Sequence, residues 1–155
     1  MTKLVISSTG EAAERWGHYL GQYEIAGEHH GAPYYKQTGG LGYLYRDAQT
    51  AWRAGRELGS TGSGVLYHPP TTGDTPPQSG WQYRYYGGQY RDAPTLVLTP
   101  GPLSPPLTIT LQSEGELAAK YPHHLGTFSK TDQWSEGRPV FRNQAGKLLY
   151  YSFSS

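Results

Sequence analysis

The sequence predicts an all-β protein of short antiparallel strands, built as one and a half copies of a unit of about 105 residues. Three observations carry this. Short runs of β-branched and aromatic residues recur roughly every ten residues, with Gly, Pro and Ser between them. The chain of 155 residues holds 21 Gly and 12 Pro, well above ordinary usage, so turns are frequent. And the front of the chain returns near its end, the mark of an internal repeat.

The elements follow in order. Leu4–Ile6 reads as a strand. Glu11–Tyr19 is Ala-rich and reads as partly helical, and its later counterpart Glu116–Tyr121 behaves the same way. Tyr19–Ile25, Pro33–Gln37 and Tyr43–Arg46 read as strands, with a hairpin turn at Gly39-Gly40. Asp47–Leu58 again reads as partly helical, because Asp47 is a good cap and Ala48, Ala51, Trp52 and Gly55 have helical spacing. Gly59–Gly64 is a flexible hairpin loop leading into a strand at Val65–His68. Trp81–Tyr86 alternates, which places Trp81, Tyr83 and Tyr85 on one face and Gln82 and Arg84 on the other. A turn at Gly87-Gly88 follows. Thr95–Thr99, Leu107–Leu111, Pro139–Arg142 and Leu148–Phe153 complete the strands.

The repeat aligns Leu4–Tyr45 with Ile109–Tyr151. His18-Tyr-Leu-Gly-Gln-Tyr falls on His123-His-Leu-Gly-Thr-Phe, and Gly31-Ala-Pro-Tyr-Tyr-Lys on Gly137-Arg-Pro-Val-Phe-Arg. The pairs Tyr23/Phe128, Tyr35/Phe141 and Tyr45/Tyr151 recur, and Phe replaces Tyr in two of them. Losing the hydroxyl without losing the ring points to packing. Residues 1–106 form a full unit with halves 1–47 and 48–106, and 107–155 is a further half like the first, packed into the same domain. Three segments of about four strands suit blade-like sheets, as in a small propeller, or a sandwich or barrel that mixes the halves. Three blades do not close a ring, so blades would require a dimer. A trefoil suits less well, because the middle segment matches the outer two poorly. A half-unit implies a neighbour, supplied by a partner chain or by the chain folding back.

Composition removes several classes. Leu, Ile, Val and Phe make only about a sixth of the chain, but 14 Tyr and 4 Trp supply apolar surface, and the net charge is only +1. Thirteen basic against twelve acidic residues leave no nucleic-acid footprint. There is no Cys, hence no disulfide framework, thiolate zinc site or Cys nucleophile. No apolar run approaches the ~20 residues of a membrane helix. The start lacks the apolar stretch of a secretory signal, so the chain reads as cytosolic or as a mature secreted form with an added Met.

The runs LGQY, GAPYYK and YLYRD, then Trp52, Pro76-Pro-Gln-Ser-Gly-Trp and Asp92-Ala-Pro-Thr-Leu, resemble an uncharacterised tandem module of marine invertebrate and protist proteins. Gly137-Arg-Pro-Val-Phe and Leu149-Tyr-Tyr-Ser in the third segment carry the front of the same pattern. The resemblance implies a β-rich repeat and specifies no chemistry.

No catalytic residues, metal ligands or cofactors are predicted. Gly59–Gly64 fits neither a phosphate loop, a dinucleotide fingerprint nor a nucleophile elbow. Glu11 and Glu116 recur at matched positions and would pair as acid and base in a glycan-active enzyme, but recurrence within a duplication favours a structural role. His29-His30 and His123-His124 are adjacent pairs, a poor arrangement for chelating one ion on a strand, and Asp47, Asp74, Asp92 and Asp132 form no calcium loop. The aromatics are the one excess. Trp81, Tyr83, Tyr90, Arg91 and Asp92 are read as one ligand site, with Trp134 and Trp52 as walls of others. Aromatic faces stack on the apolar face of a sugar ring, while planar polar groups bind its hydroxyls. The expectation is therefore a non-catalytic carbohydrate-binding, lectin-like protein. A protein-interaction or assembly module, with homo-oligomers, is the alternative, and a glycan-active enzyme comes third.

Overall fold

The computed structural model describes residues 2–60, 62 and 64–152. It is all-β, with two antiparallel sheets. The first contains β1 (Lys3–Ser7), β2 (Gly21–His29), β3 (Ala32–Gln37), β4 (Tyr43–Arg46), β5 (Trp52–Gly55), β6 (Gly64–His68), β7 (Gln82–Arg84), β8 (Tyr90–Asp92) and β9 (Val97–Pro100). The second contains β10 (Thr108–Leu111), β11 (Gly126–Ser135), β12 (Arg138–Arg142) and β13 (Leu148–Leu149). Helix α1 (Gly10–Trp16) precedes β2, and α2 (Glu116–Lys120) precedes β11. Among the described residues no helix is long and apolar enough to cross a membrane.

The first sheet is a meander from β1 to β8, with β9 returning to pair with β1. Chain length forces this sheet to curl. Nine strands laid flat span about 38 Å at ~4.8 Å each. Yet β8 and β9, at opposite ends of that order, are joined by residues 93–96 alone. Five extended steps reach about 18 Å at most. The sheet therefore bends into a half-barrel around its core. That core packs Leu4, Tyr23, Tyr35 and Leu44 from the first half against Trp52, Leu66, Trp81 and Leu96 from the second, and α1 adds Ala12 and Trp16. The ladder runs across the boundary at residue 47, where Leu44 faces Ala54. The first two segments thus form one curled sheet, and separate blades are not what the chain builds.

One stretch differs from the sequence expectation. Residues 47–55 form a turn and strand β5 in place of a helix. Asp47 does cap, but it caps the turn: its Oδ1 accepts the amides of Gln49 at 2.9 Å and Ala51 at 3.0 Å, and its Oδ2 takes Arg53 Nε at 2.7 Å. Trp52 and Ala54 then point into the core, a period of two. The polar segment around Trp134 forms part of strand β11, with an irregularity between Lys130 and Trp134. Its polarity reflects exposure of much of the strand. Thr61 and Ser63 of the Gly59–Gly64 loop, and Phe153 of the last expected strand, lie outside the described residues.

The second sheet repeats the first in register. Leu4 faces Tyr23 as Ile109 faces Phe128, and Ile25 faces Tyr35 as Lys130 faces Phe141. The repeat alignment needs one correction. The β12–β13 turn is a residue shorter than the β3–β4 turn: the Gln37 amide bonds Gly42 O, whereas the Asn143 amide bonds Lys147 O. Leu148 and Leu149 therefore match Tyr43 and Leu44, and Tyr150, not Tyr151, takes the place of Tyr45.

The two sheets meet at the β11–β12 turn. Gly137 O accepts the Gln22 amide at 2.7 Å, and the Gly137 amide donates to Thr38 O at 2.8 Å. Gly21 and Gly137 touch back to back at positive φ, and a Cβ on Gly21 would sit 2.5 Å from Gly137 O. Only glycine fits on both sides of this joint.

Candidate functional site

Three of the predicted ligand residues are core. Trp52, Trp81 and Tyr83 are 0, 2 and 5% exposed. Trp81 donates its indole N–H to Pro77 O at 2.9 Å and packs edge-on against His68. With so few aliphatic residues, the curled sheet fills its interior with these rings, so they are closed to a sugar. Trp134 is half-buried on β11 of the second sheet, with Lys130 Nζ 5.8 Å from its ring centre, and is not part of the β7–β8 group.

Tyr90, Arg91 and Asp92 are consecutive on edge strand β8, which turns the Arg91 side chain, opposite Tyr83, to the other face from Tyr90 and Asp92. Tyr90 is half-buried, tied through its hydroxyl to Gly64 O at 2.8 Å. Asp92 accepts Gln82 Nε2 at 3.2 Å, and both face solvent on neighbouring strands. Arg91 lies over the Tyr85 ring, 3.4 Å from its centre.

The remainder of this surface comes from α1 and from the end of β7. Arg15 sits one helical turn after Glu11 and donates Nε to its Oε1 at 2.9 Å. The same guanidinium lies 4.5 Å from the Tyr85 ring centre and 4.3 Å from that of Tyr86. Glu11 also accepts the Tyr83 hydroxyl at 2.8 Å, and Arg91 approaches to 3.8 Å. Tyr86 is 69% exposed. The result is the open Tyr86 ring backed by Arg15, with Arg91 over the adjacent Tyr85 ring. The Glu11–Arg15 spacing and the Tyr85-Tyr86 doublet are the sequence signals that would have found it.

The Tyr83 hydroxyl and then Arg15 hold the Glu11 carboxyl below its ordinary value of 4.5. A depressed carboxyl stabilises the folded state above its unfolded value and loses that contribution as pH falls through the folded one. The stability gap between the parent chain and Glu11→Gln is therefore expected to be constant near neutrality and to close in acid. Urea titrations at several pH values measure it, and a gap that widens in acid would contradict this account. Glu116 occupies the matching place on α2 in the other sheet, and the cleft of about 220 Å³ that Glu11 lines with Asp92 and Thr95 does not include it. Among the described residues no three His, Asp or Glu side chains gather at metal-binding distance.

A second surface, not anticipated as a site, lies on the second sheet. An open groove of about 410 Å³ is lined by Leu103, Ile109, Phe141, Leu149, Tyr150 and Tyr151, among others. Elsewhere on the second half Leu107, Leu117, Tyr121 and Leu148 are exposed. The repeat pattern was the available signal for part of it, because Ile109, Phe141 and Leu149 match Leu4, Tyr35 and Leu44, core residues of the first half.

No protein family, curated protein or solved structure matches the chain.

Proposed function

We propose that the protein is a non-catalytic binding module whose principal ligand is polypeptide, an assembly module that docks through its second sheet. One observation carries this reading. Two positions that are buried in the first half keep apolar residues in the second, where they stand in solvent. Ala12 is 4% exposed and its counterpart Leu117 is 53%; Tyr45 is 0% exposed and its counterpart Tyr150 is 56%. An open apolar groove such as the one that Tyr150 lines marks an interaction site. The test is sedimentation of the chain, alone over a concentration range and mixed with a synthetic 48–106 peptide. A gain in mass is expected, and is lost in Leu117→Lys/Tyr150→Lys. No association under either condition would overturn the reading.

The β7–β8 surface supports a second reading, carbohydrate binding. Its basis is Tyr86, an exposed ring flanked by Arg15, with Arg91 over the adjacent Tyr85 ring to bind hydroxyls. On a glycan array, selective binding that Tyr86→Ala loses would support it, and a blank array at high protein concentration would remove it.

A further inference from the structure

We infer that the open face of the second sheet is a seat for a β-segment built like residues 48–106, supplied from outside residues 1–155. The inference rests on the assembly reading and names its partner.

The first sheet shows what covers this face, because the chain contains the same seat filled. A set of contacts that close the first half comes from residues 48–106. Trp16 donates its indole N–H to Arg84 O at 2.8 Å. Glu11 accepts the Tyr83 hydroxyl, and the Tyr45 hydroxyl donates to Ser60 O. At the two edges, β9 pairs with β1, placing Leu98 opposite Ile6, and β5 pairs with β4, placing Ala54 opposite Leu44. The matching residues of the second half are Tyr121, Glu116 and Tyr150, all exposed, and the edges of β10 and β13, which pair with no further strand among the described residues. Each of these groups is polar at one end and apolar in its body, suited to a partner that supplies both packing and a hydrogen bond.

Register adds specificity. An incoming strand like β9 would lie antiparallel along Ile109 and Leu111, and one like β5 along Leu148–Tyr151. Pairing at both edges satisfies backbone groups that an open sheet leaves to water. Between them, the donor's apolar residues would fill the groove over Phe141 and Leu149, whose counterparts Tyr35 and Leu44 are closed off by the core. A second copy of this chain does not offer that segment. Its own residues 48–106 are committed to its first sheet, with Trp52, Leu66, Trp81 and Leu96 buried there.

The test is amide hydrogen exchange on the full chain with and without synthetic 48–106 peptide. Exchange at 109–111 and 148–151 is expected to slow by about 100-fold or more on addition. Leu117→Lys/Tyr150→Lys should lose this protection while β11 and β12 exchange as in the parent chain. Should the free peptide aggregate, the same segment joined after Ser155 through a flexible linker gives the same readout. Unchanged exchange at both edges, with the joined segment exchanging as unfolded chain, would overturn the proposal. Protection that instead appears in the chain alone, rising with its concentration and with a doubled mass, would assign the face to a second copy. That outcome overturns the donor proposed here and leaves the assembly reading standing.

Discussion

Tyr35→Ala is expected to destabilise the protein by about 3 to 5 kcal/mol, the range for truncating a large buried ring. Tyr35 is buried between β2 and β4, facing Ile25 on one side and Leu44 on the other. Its ring belongs to the same core cluster as Trp52 and Leu66 from the second half of the unit. These are aromatic and aliphatic side chains held on paired strands, which relax little. The loss is a large share of the total stability of an ordinary domain. Phe141→Ala, at the matched position, is expected at the lower end of the same range. Phe141 is buried but borders the open groove, and its neighbours can close into part of the space. Chemical denaturation measures both. A loss below about 1 kcal/mol for either would show that the matched rings are not core, against the scale for such truncations.

The strands were legible because a period of two survives in short runs such as Trp81–Tyr86, where the structure does bury Trp81 and Tyr83 on one face. Segment 47–55 was not. The spacing of Ala48, Ala51 and Trp52 suits a helix, and only the bonds that Asp47 makes to the amides of Gln49 and Ala51 turn the chain into a strand. Those bonds depend on tertiary placement, since Arg53 holds the other carboxylate oxygen. The candidate site was legible in part for a related reason. Composition shows that aromatics are in excess but not which of them the core consumes. A curled sheet with few aliphatics takes the indoles of Trp52 and Trp81 inside, while Tyr86, next to Gly87 in a tight turn, is left out. The repeat supplied the clearest positional information, and its error at Tyr151 was a one-residue slip in a turn, too short for side-chain identities to resolve.

Gln37→Leu is expected to cost about 3 kcal/mol or more, at 1 to 3 for each buried polar group left without a partner. The Gln37 amide nitrogen donates to His18 O and Leu20 O, both at 2.8 Å, and its carbonyl accepts the Gly42 amide at 3.3 Å. One buried side chain thus satisfies three backbone groups, tying the end of the segment after α1 to the β3–β4 turn. Asn143 does the same work in the second sheet: it donates to His123 O at 2.8 Å and to Leu125 O at 3.4 Å, and accepts the Lys147 amide at 2.9 Å. The shorter side chain goes with the shorter turn. Asn143→Leu should nonetheless cost much less, about 1 kcal/mol, because water can replace a lost partner where the surroundings are open. His123 and Lys147 are exposed, whereas Gly42 is packed against Tyr19 and Tyr23. Urea denaturation of the two variants, with exchange at the Gly42 and Lys147 amides, measures the difference. Equal losses would mean that the second sheet is as closed as the first, which would count against an open docking face. A loss confined to Gln37→Leu would place the same three-bond device in two different solvents, one of them awaiting its cover.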